Sequence, residues 1–168
     1  MKFSISLHTP NGDRYLVCVS PLIEQLRREL ELPEENIEVC QIVLDRERWD
    51  NATDINILSQ ITDFVAKVLL ANDNIILYYV CDDINEIPNC NHNIPSQEYR
   101  SRLFSSMFDR YVRNHNITDI INVPVIIKDA VGNKQYVHII SDQKHDVSVK
   151  VIVDFVIEGF AVGKWMIG

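Results

Sequence analysis

From Asp13 to Val131 the chain runs 119 residues without a glycine. Average glycine usage of roughly 7% would place about eight in a stretch of that length. Glycine is what lets backbone amides crowd a phosphate, because it has no Cβ and takes positive φ at little cost. The stretch therefore holds no Walker loop, no dinucleotide-binding GxGxxG and no GxSxG nucleophile elbow. What remains is a soluble mixed α/β domain.

At 168 residues the chain fits one domain spanning its whole length, enough to bury about 70% of its extended-chain surface. Apolar residues are 46% and charged residues 24% of the total, a globular balance. Met1-Lys2-Phe3-Ser4-Ile5-Ser6 leads into alternation rather than into the apolar run of a signal peptide. With no run of ~18 uninterrupted apolar residues, a bacterial-type cytoplasm is the expected location. The net charge of −8 disfavours nucleic acid and anionic lipid as partners. Cys18, Cys40, Cys81 and Cys90 form no CxxC pair, so reduced thiols without a metal are expected.

Phe3, Ile5 and Leu7 alternate with Ser4, Ser6 and His8, and Asn11-Gly12 supplies a turn into a second strand from Tyr15 to Val19. Ser20-Pro21 reads as an N-cap and first helical residue, with Leu22, Ile23, Leu26 and Leu30 on one face of a short helix that ends before Pro33. Ile37 to Leu44 is a third strand, followed by the charged loop Asp45–Asp50 around Trp49. Thr53 or Asp54 can cap the next helix, in which Ile57, Leu58, Ile61, Phe64, Val65, Val68 and Leu69 hold 3–4 spacing without exception. Asn72-Asp73-Asn74 stops it, and the apolar run Ile75 to Val80 predicts a central strand covered on both faces.

Cys81 to Pro95 is the longest polar connection, and long loops in compact domains tend to carry function. Ser96 is read as the cap of a helix reaching about His115. Strands at Ile120–Lys128 and Lys134–Ile140 flank a Val131-Gly132-Asn133 turn. From Val147 to Ile157 the alternation of β-branched residues suits a strand, whereas Lys150, Asp154 and Glu158 make one polar stripe on an apolar helix. The helix is preferred, capped by Ser141 or Asp142 and ended by Gly159 or Gly163.

The Ser96–His115 helix carries the candidate binding face. Arg102, Arg110 and Arg113 share one side with Ser106, and such a basic face can dock an acidic partner. Leu103, Met107 and Tyr111 share another side, and Arg100 projects inside that apolar arc. There a guanidinium needs a partner or must snorkel to water, and snorkelling is the expected solution. Trp49 and Trp165 are candidate partner anchors, since tryptophan concentrates binding energy. Cys81, Asp82, Asp83, Glu86, Cys90 and His92 supply donors for a metal but lack paired ligand spacing. The five histidines include no i, i+4 pair. No catalytic residue, metal or cofactor is therefore expected.

The order of elements from Lys2 to Ile140 resembles that of the GNAT acyltransferases, apart from the inserted short helix. That resemblance implies a coenzyme A loop after the third strand, a position held here by the glycine-free Arg46-Glu47-Arg48-Trp49-Asp50-Asn51-Ala52. It also implies a proton-donating tyrosine in the later helix. If Met107-Phe108-Asp109-Arg110 takes that motif's place, Phe108 stands at the tyrosine position. The chain as a whole also resembles an uncharacterised bacterial family of unknown function. The residues behind that likeness are Ile76-Leu77-Tyr78-Tyr79-Val80-Cys81-Asp82, Arg100-Ser101-Arg102-Leu103-Phe104 and the final strand plus helix. The expected fold is a single α+β domain with a mixed, mostly antiparallel sheet flanked by helices in GNAT-like order. The expected function is non-catalytic, in protein interaction or regulation with a protein partner or a second copy, and a GNAT-like N-acyltransferase with a divergent cofactor loop is the alternative.

Overall fold

A computed structural model describes residues 2–10, 12–22, 24–46, 55–81, 94–128 and 131–161. Six strands form one mixed sheet: β1 (Phe3–His8), β2 (Arg14–Pro21), β3 (Glu38–Arg46), β4 (Ile75–Cys81), β5 (Ile120–Lys128) and β6 (Lys134–Asp142). Their spatial order is β1-β2-β3-β4-β6-β5, with β3 and β4 parallel and every other neighbour antiparallel. The helices are α1 (Glu24–Glu29), α2 (Ile55–Ala71), α3 (Ser96–Asn114) and α4 (Asp146–Ala161), the last entered through a 3-10 turn at Gln143–His145. The chain is thus an α+β domain with a mixed, mostly antiparallel sheet.

The parity of each strand sorts its side chains between two cores. In β4, Ile75, Leu77, Tyr79 and Cys81 pack toward α2 and α3. Ile76, Tyr78 and Val80 pack on the opposite face, where α4 supplies Val149, Ile152 and Val156. A strand covered on both faces has no polar positions to spare, which explains its continuous apolar run. On α2 the apolar stripe buries Ile57, Ile61, Val65, Val68 and Leu69. Asn72 ends that helix, its side-chain amide donating to the Val68 carbonyl over 2.7 Å.

The turns at the ends of the glycine-free stretch use the conformational freedom anticipated for them. Gly12 has φ +85° and Gly132 has φ +89°. Residues 146–160 resolve as helix, with Lys150, Asp154 and Glu158 exposed along its outer side. Three local readings are corrected. Ser20 and Pro21 belong to β2, opposite Gln41 and Cys40, and Leu22 N–H donates to the Val39 carbonyl. Strand pairing therefore holds the chain extended past the proline, and α1 shrinks to six residues. Ser96 is the first residue of α3, with Pro95 in the N-cap position and no side-chain cap. Gly159 lies within α4 rather than ending it; Gly163 and the proposed caps Thr53 and Asp54 lie outside the described residues.

At the sheet end where β3 and β4 begin, one partly buried clasp fixes α4 to the rest. His145 Nδ1 meets Glu34 Oε1 at 3.0 Å, and its Nε2 meets the Asp73 carbonyl at 2.7 Å. The Ser148 hydroxyl donates to the other Glu34 oxygen. A carboxylate and a carbonyl only accept, so the imidazolium, with both ring nitrogens donating, is the form of His145 that this site favours. Burial pushes its pKa down, but the Asp73 carbonyl and the Glu34 carboxylate outweigh this, and the net shift is upward from 6.5. The Ser148 hydroxyl and then His145 hold Glu34 below its usual 4.5.

The sign of the pH dependence follows. The histidine's contribution is full below about pH 6.5 and is lost as pH rises through the raised folded value. The glutamate's contribution is present above pH 4.5 and is lost as pH falls through its lowered value. Since Glu34 is partly open to water, the alkaline loss is expected to be about 1 kcal/mol. Urea titrations from pH 6 to 8, below the range in which unfolded thiols ionise, should show it in the wild type and lose the slope in His145→Gln. A slope unchanged in that variant would refute the assignment.

Candidate functional site

β3 and β4 pair from Glu38–Ile75 only as far as Ile42–Tyr79. Beyond that point β3 continues to Arg46 paired with β2 alone, and β4 continues to Cys81 paired with β6 alone. The two parallel strands therefore part at their carboxyl ends. Open α/β sheets commonly receive ligands in the crevice outside the carboxyl ends of such strands. α2 and α3 pack on one face of the sheet and leave between them a crevice of about 90 Å³ that runs from Arg46 and Leu58 near this opening to Leu70 and Ile117. Its walls are apolar, with Leu58, Val65 and Ala66 from α2, Leu103 and Met107 from α3, and Ile42 and Leu44 from β3.

Two arginines, Arg46 and Arg100, are among its lining residues. Strand parity carries Arg46 inward, because it continues the series Cys40, Ile42 and Leu44 on the α2 side. Arg46 Nη2 meets Asp13 Oδ2 at 2.9 Å, with side-chain exposures of only 1% and 3%. The guanidinium carbon also lies 5.0 Å from the centroid of the Tyr15 ring, a cation–π distance. Asp13 is held in place by Thr9, whose N–H donates to the Asp13 carbonyl and whose hydroxyl accepts from the Asp13 N–H. Arg100 is buried rather than snorkelling, since the apolar arc it shares with Leu103, Met107 and Tyr111 faces the crevice.

The rim between the two helices is polar. Tyr111 Oη donates to Asp63 Oδ1 at 3.3 Å, and Lys67 Nζ lies 2.7 Å from Asp63 Oδ2. Burial, then the Asp63 carboxylate, raises the Tyr111 phenol. Burial pushes the Cys81 thiol up to about 12 and the Cys40 thiol up to about 11, so neither is a thiolate at neutral pH.

Beside the crevice, α3 is fastened to the sheet by a buried polar seam. Ser101 Oγ lies 2.8 Å from His138 Nε2, His138 Nδ1 lies 2.9 Å from Asn122 Oδ1, and Asn122 Nδ2 donates to Ser105 Oγ at 3.2 Å. The order hydroxyl–imidazole–acceptor is that of a nucleophile, its base and an orienting group. Its surroundings are those of a core. Burial pushes the imidazole down to about 4, making it a poor base at neutral pH. The Phe104 ring covers it at 4.8 Å between centroids, and Ser101 sits within a helix and is itself buried. The seam positions α3 on the sheet.

Arg102, Arg110 and Arg113 all lie exposed on α3. Arg102 is bridged to Glu98 at 2.9 Å, one turn away. The structure does not gather these arginines with the crevice, which lies on the helix's other side. Trp49 and Trp165 fall outside the described residues, as do Asp82, Asp83, Glu86, Cys90 and His92. Among the described residues, no group of three His, Cys, Asp or Glu side chains is placed to hold a metal. No described helix is long and apolar enough to cross a membrane.

The reading of the sequence missed the Asp13–Arg46 pair and the Ser101–His138–Asn122 seam. Both carry a signal in strand parity. Arg46, Asn122 and His138 each occupy the inward position of a strand, where a polar side chain demands a buried partner. No protein-family model, curated protein or solved structure matches the chain.

Proposed function

We propose that this chain is a non-catalytic protein-interaction domain whose receptor site is the crevice between α2 and α3, taking an apolar anchor side chain from an acidic segment of its partner. The observation that carries this reading is the chemistry of the crevice, an apolar slot whose lining residues include Arg100 and Arg46, the latter already paired with Asp13. A slot of about 90 Å³ is comparable to apolar cavities that stay dry until an apolar group fills them. Buried anchors in such pockets dominate the energy of protein interfaces. Binding rather than turnover is favoured by the flanking groups, since the Cys81 and Cys40 thiols and the His138 imidazole are all displaced far from neutrality.

Isovalerate, an isobutyl group joined to a carboxylate, is the minimal probe of this site. It is expected to bind at millimolar concentration and to shift the amide resonances of Ala66, Leu103 and Arg100. Ala66→Leu fills the slot and should weaken that binding at least tenfold, a change of about 1.4 kcal/mol, while leaving thermal stability equal or higher. Isovalerate binding that survives Ala66→Leu, or none in the wild type, would remove the crevice as the receptor.

A second reading, a GNAT-like N-acyltransferase, is favoured by the parting of β3 and β4 together with the order β1-β2-β3-β4-β6-β5. Phe108 speaks against it, being a buried ring with no proton to give. Acetyl-CoA distinguishes the two. Heat on titration with hydrolysis or transfer of the acetyl group supports the enzyme, whereas isovalerate binding without acetyl-CoA binding supports the receptor.

A further inference from the structure

The two edges of the sheet are built differently. β5 carries Pro124 in mid-strand, which removes an N–H from its ladder, and ends on Lys128. Proline and lysine are common devices by which an edge strand avoids pairing with another chain. β1, at the other edge, reads Phe-Ser-Ile-Ser-Leu-His, with neither a proline nor an acidic or basic side chain other than its final histidine. In a chain of net charge −8, an edge without carboxylates is a place where two copies can meet without repulsion. The side chains beside it are incompletely covered. Phe3 and Ile5 pack against the α2-side core while remaining only partly buried.

We infer that β1 pairs antiparallel with β1 of a second copy of this chain, about a two-fold axis at Ile5, to make one continuous twelve-stranded sheet. In that register Ile5 faces the second copy's Ile5, Phe3 faces Leu7, and Ser4 faces Ser6. Apolar side chains meet apolar ones on the α2 side, and serines meet serines on the other, over five consecutive positions. Such like-with-like cross-strand pairs are the unit of sheet stabilisation. Centring on Ile5 pairs Phe3 through Leu7, five of the six residues of β1, with Lys2 and His8 at the two ends. Phe3 and Ile5 gain the cover their own chain leaves incomplete.

Sedimentation equilibrium up to about 100 µM, where even a weak dimer is populated, is the test. The wild type is expected to be a dimer. Ser4→Glu combined with Ser6→Glu sets carboxylate against carboxylate at both serine pairs and should weaken association at least tenfold. Ser4→Lys combined with Ser6→Glu sets opposite charges against each other and should return association to near the wild-type constant. Ser4 and Ser6 are both exposed, so circular dichroism should show the fold intact in each variant. A wild-type monomer, a dimer indifferent to the paired glutamates, or equal disruption by both variants would each overturn the inference.

Discussion

Asp13→Ala is expected to lower stability by about 3 kcal/mol, because it breaks a buried ion pair. Asp13 and Arg46 face each other at 2.9 Å with almost no exposure. Removing the carboxylate leaves a guanidinium that has already been taken out of water, and the cost is the desolvation of that charge rather than the strength of one hydrogen bond. Salt screens such a pair little, so the loss should be the same at low and high ionic strength. At the usual urea sensitivity of small proteins it corresponds to a midpoint lowered by roughly 1.5 M.

The paired replacement separates this cause from mere loss of packing. Asp13→Leu with Arg46→Met removes both charges and keeps apolar volume beside Tyr15. It should return stability to within about 1 kcal/mol of the wild type, because a buried ion pair contributes little over apolar side chains of similar shape. The double-mutant cycle should therefore be strongly non-additive. A loss under about 0.5 kcal/mol for Asp13→Ala, or costs that simply add in the paired variant, would show that this contact does not behave as a desolvated pair. The outcome bears on function, since Arg46 lies in the lining of the proposed receptor crevice, and its orientation depends on Asp13.

How much of this was legible in the sequence depended on whether a feature is periodic. The α2 stripe, the doubly covered β4 and the apolar arc of α3 are periodic, and each element stands where its pattern put it. The C-terminal segment fitted two periods, and the sheet decided it. β4, β5 and β6 present Ile76, Val125, Val137 and Ile139 on the face opposite α2 and α3, and a helix can cover that wide surface. Pro21 was misplaced because a proline after a serine satisfies both a helix start and a strand end, and only pairing with Cys40 distinguishes them. The crevice was invisible for another reason. It lies between α2 and α3, and how two helices far apart in the chain pack against each other is a tertiary property that no local spacing records. Arg100 could be placed on the inner arc from helical spacing alone, but nothing in the spacing showed that the arc bordered a crevice rather than solvent.

The second large effect belongs to His138, and it separates a positioning role from a catalytic one. Asn122 Oδ1 only accepts, so the proton of the neutral imidazole sits on Nδ1, and Nε2 accepts from the Ser101 hydroxyl. Every polar atom of the ring is thereby satisfied at full burial. Ser101→Ala strands a buried acceptor and should cost about 2 kcal/mol. His138→Leu strands the Asn122 carbonyl and also loses the contact with Phe104, for about 3 kcal/mol. The combination Ser101→Ala, His138→Leu and Asn122→Val leaves nothing unpaired except Ser105 and should cost less than the sum of its parts.

Titration supplies the independent readout. Burial lowers the folded pKa of His138 to about 4, below its ordinary 6.5. Its contribution is therefore complete above pH 6.5 and disappears as pH falls toward 4, by up to about 3 kcal/mol. That acid-side slope should vanish in His138→Leu, whereas the alkaline-side slope belonging to His145 should remain. A nucleophile's base would instead leave its mark on a reaction, with Ser101→Ala abolishing turnover of an ester substrate while stability stayed near the wild type. Loss of stability without any esterase activity in the wild type keeps Ser101, His138 and Asn122 as the fastening of α3 to the sheet. The reverse result would move the function of the protein from the crevice to the seam.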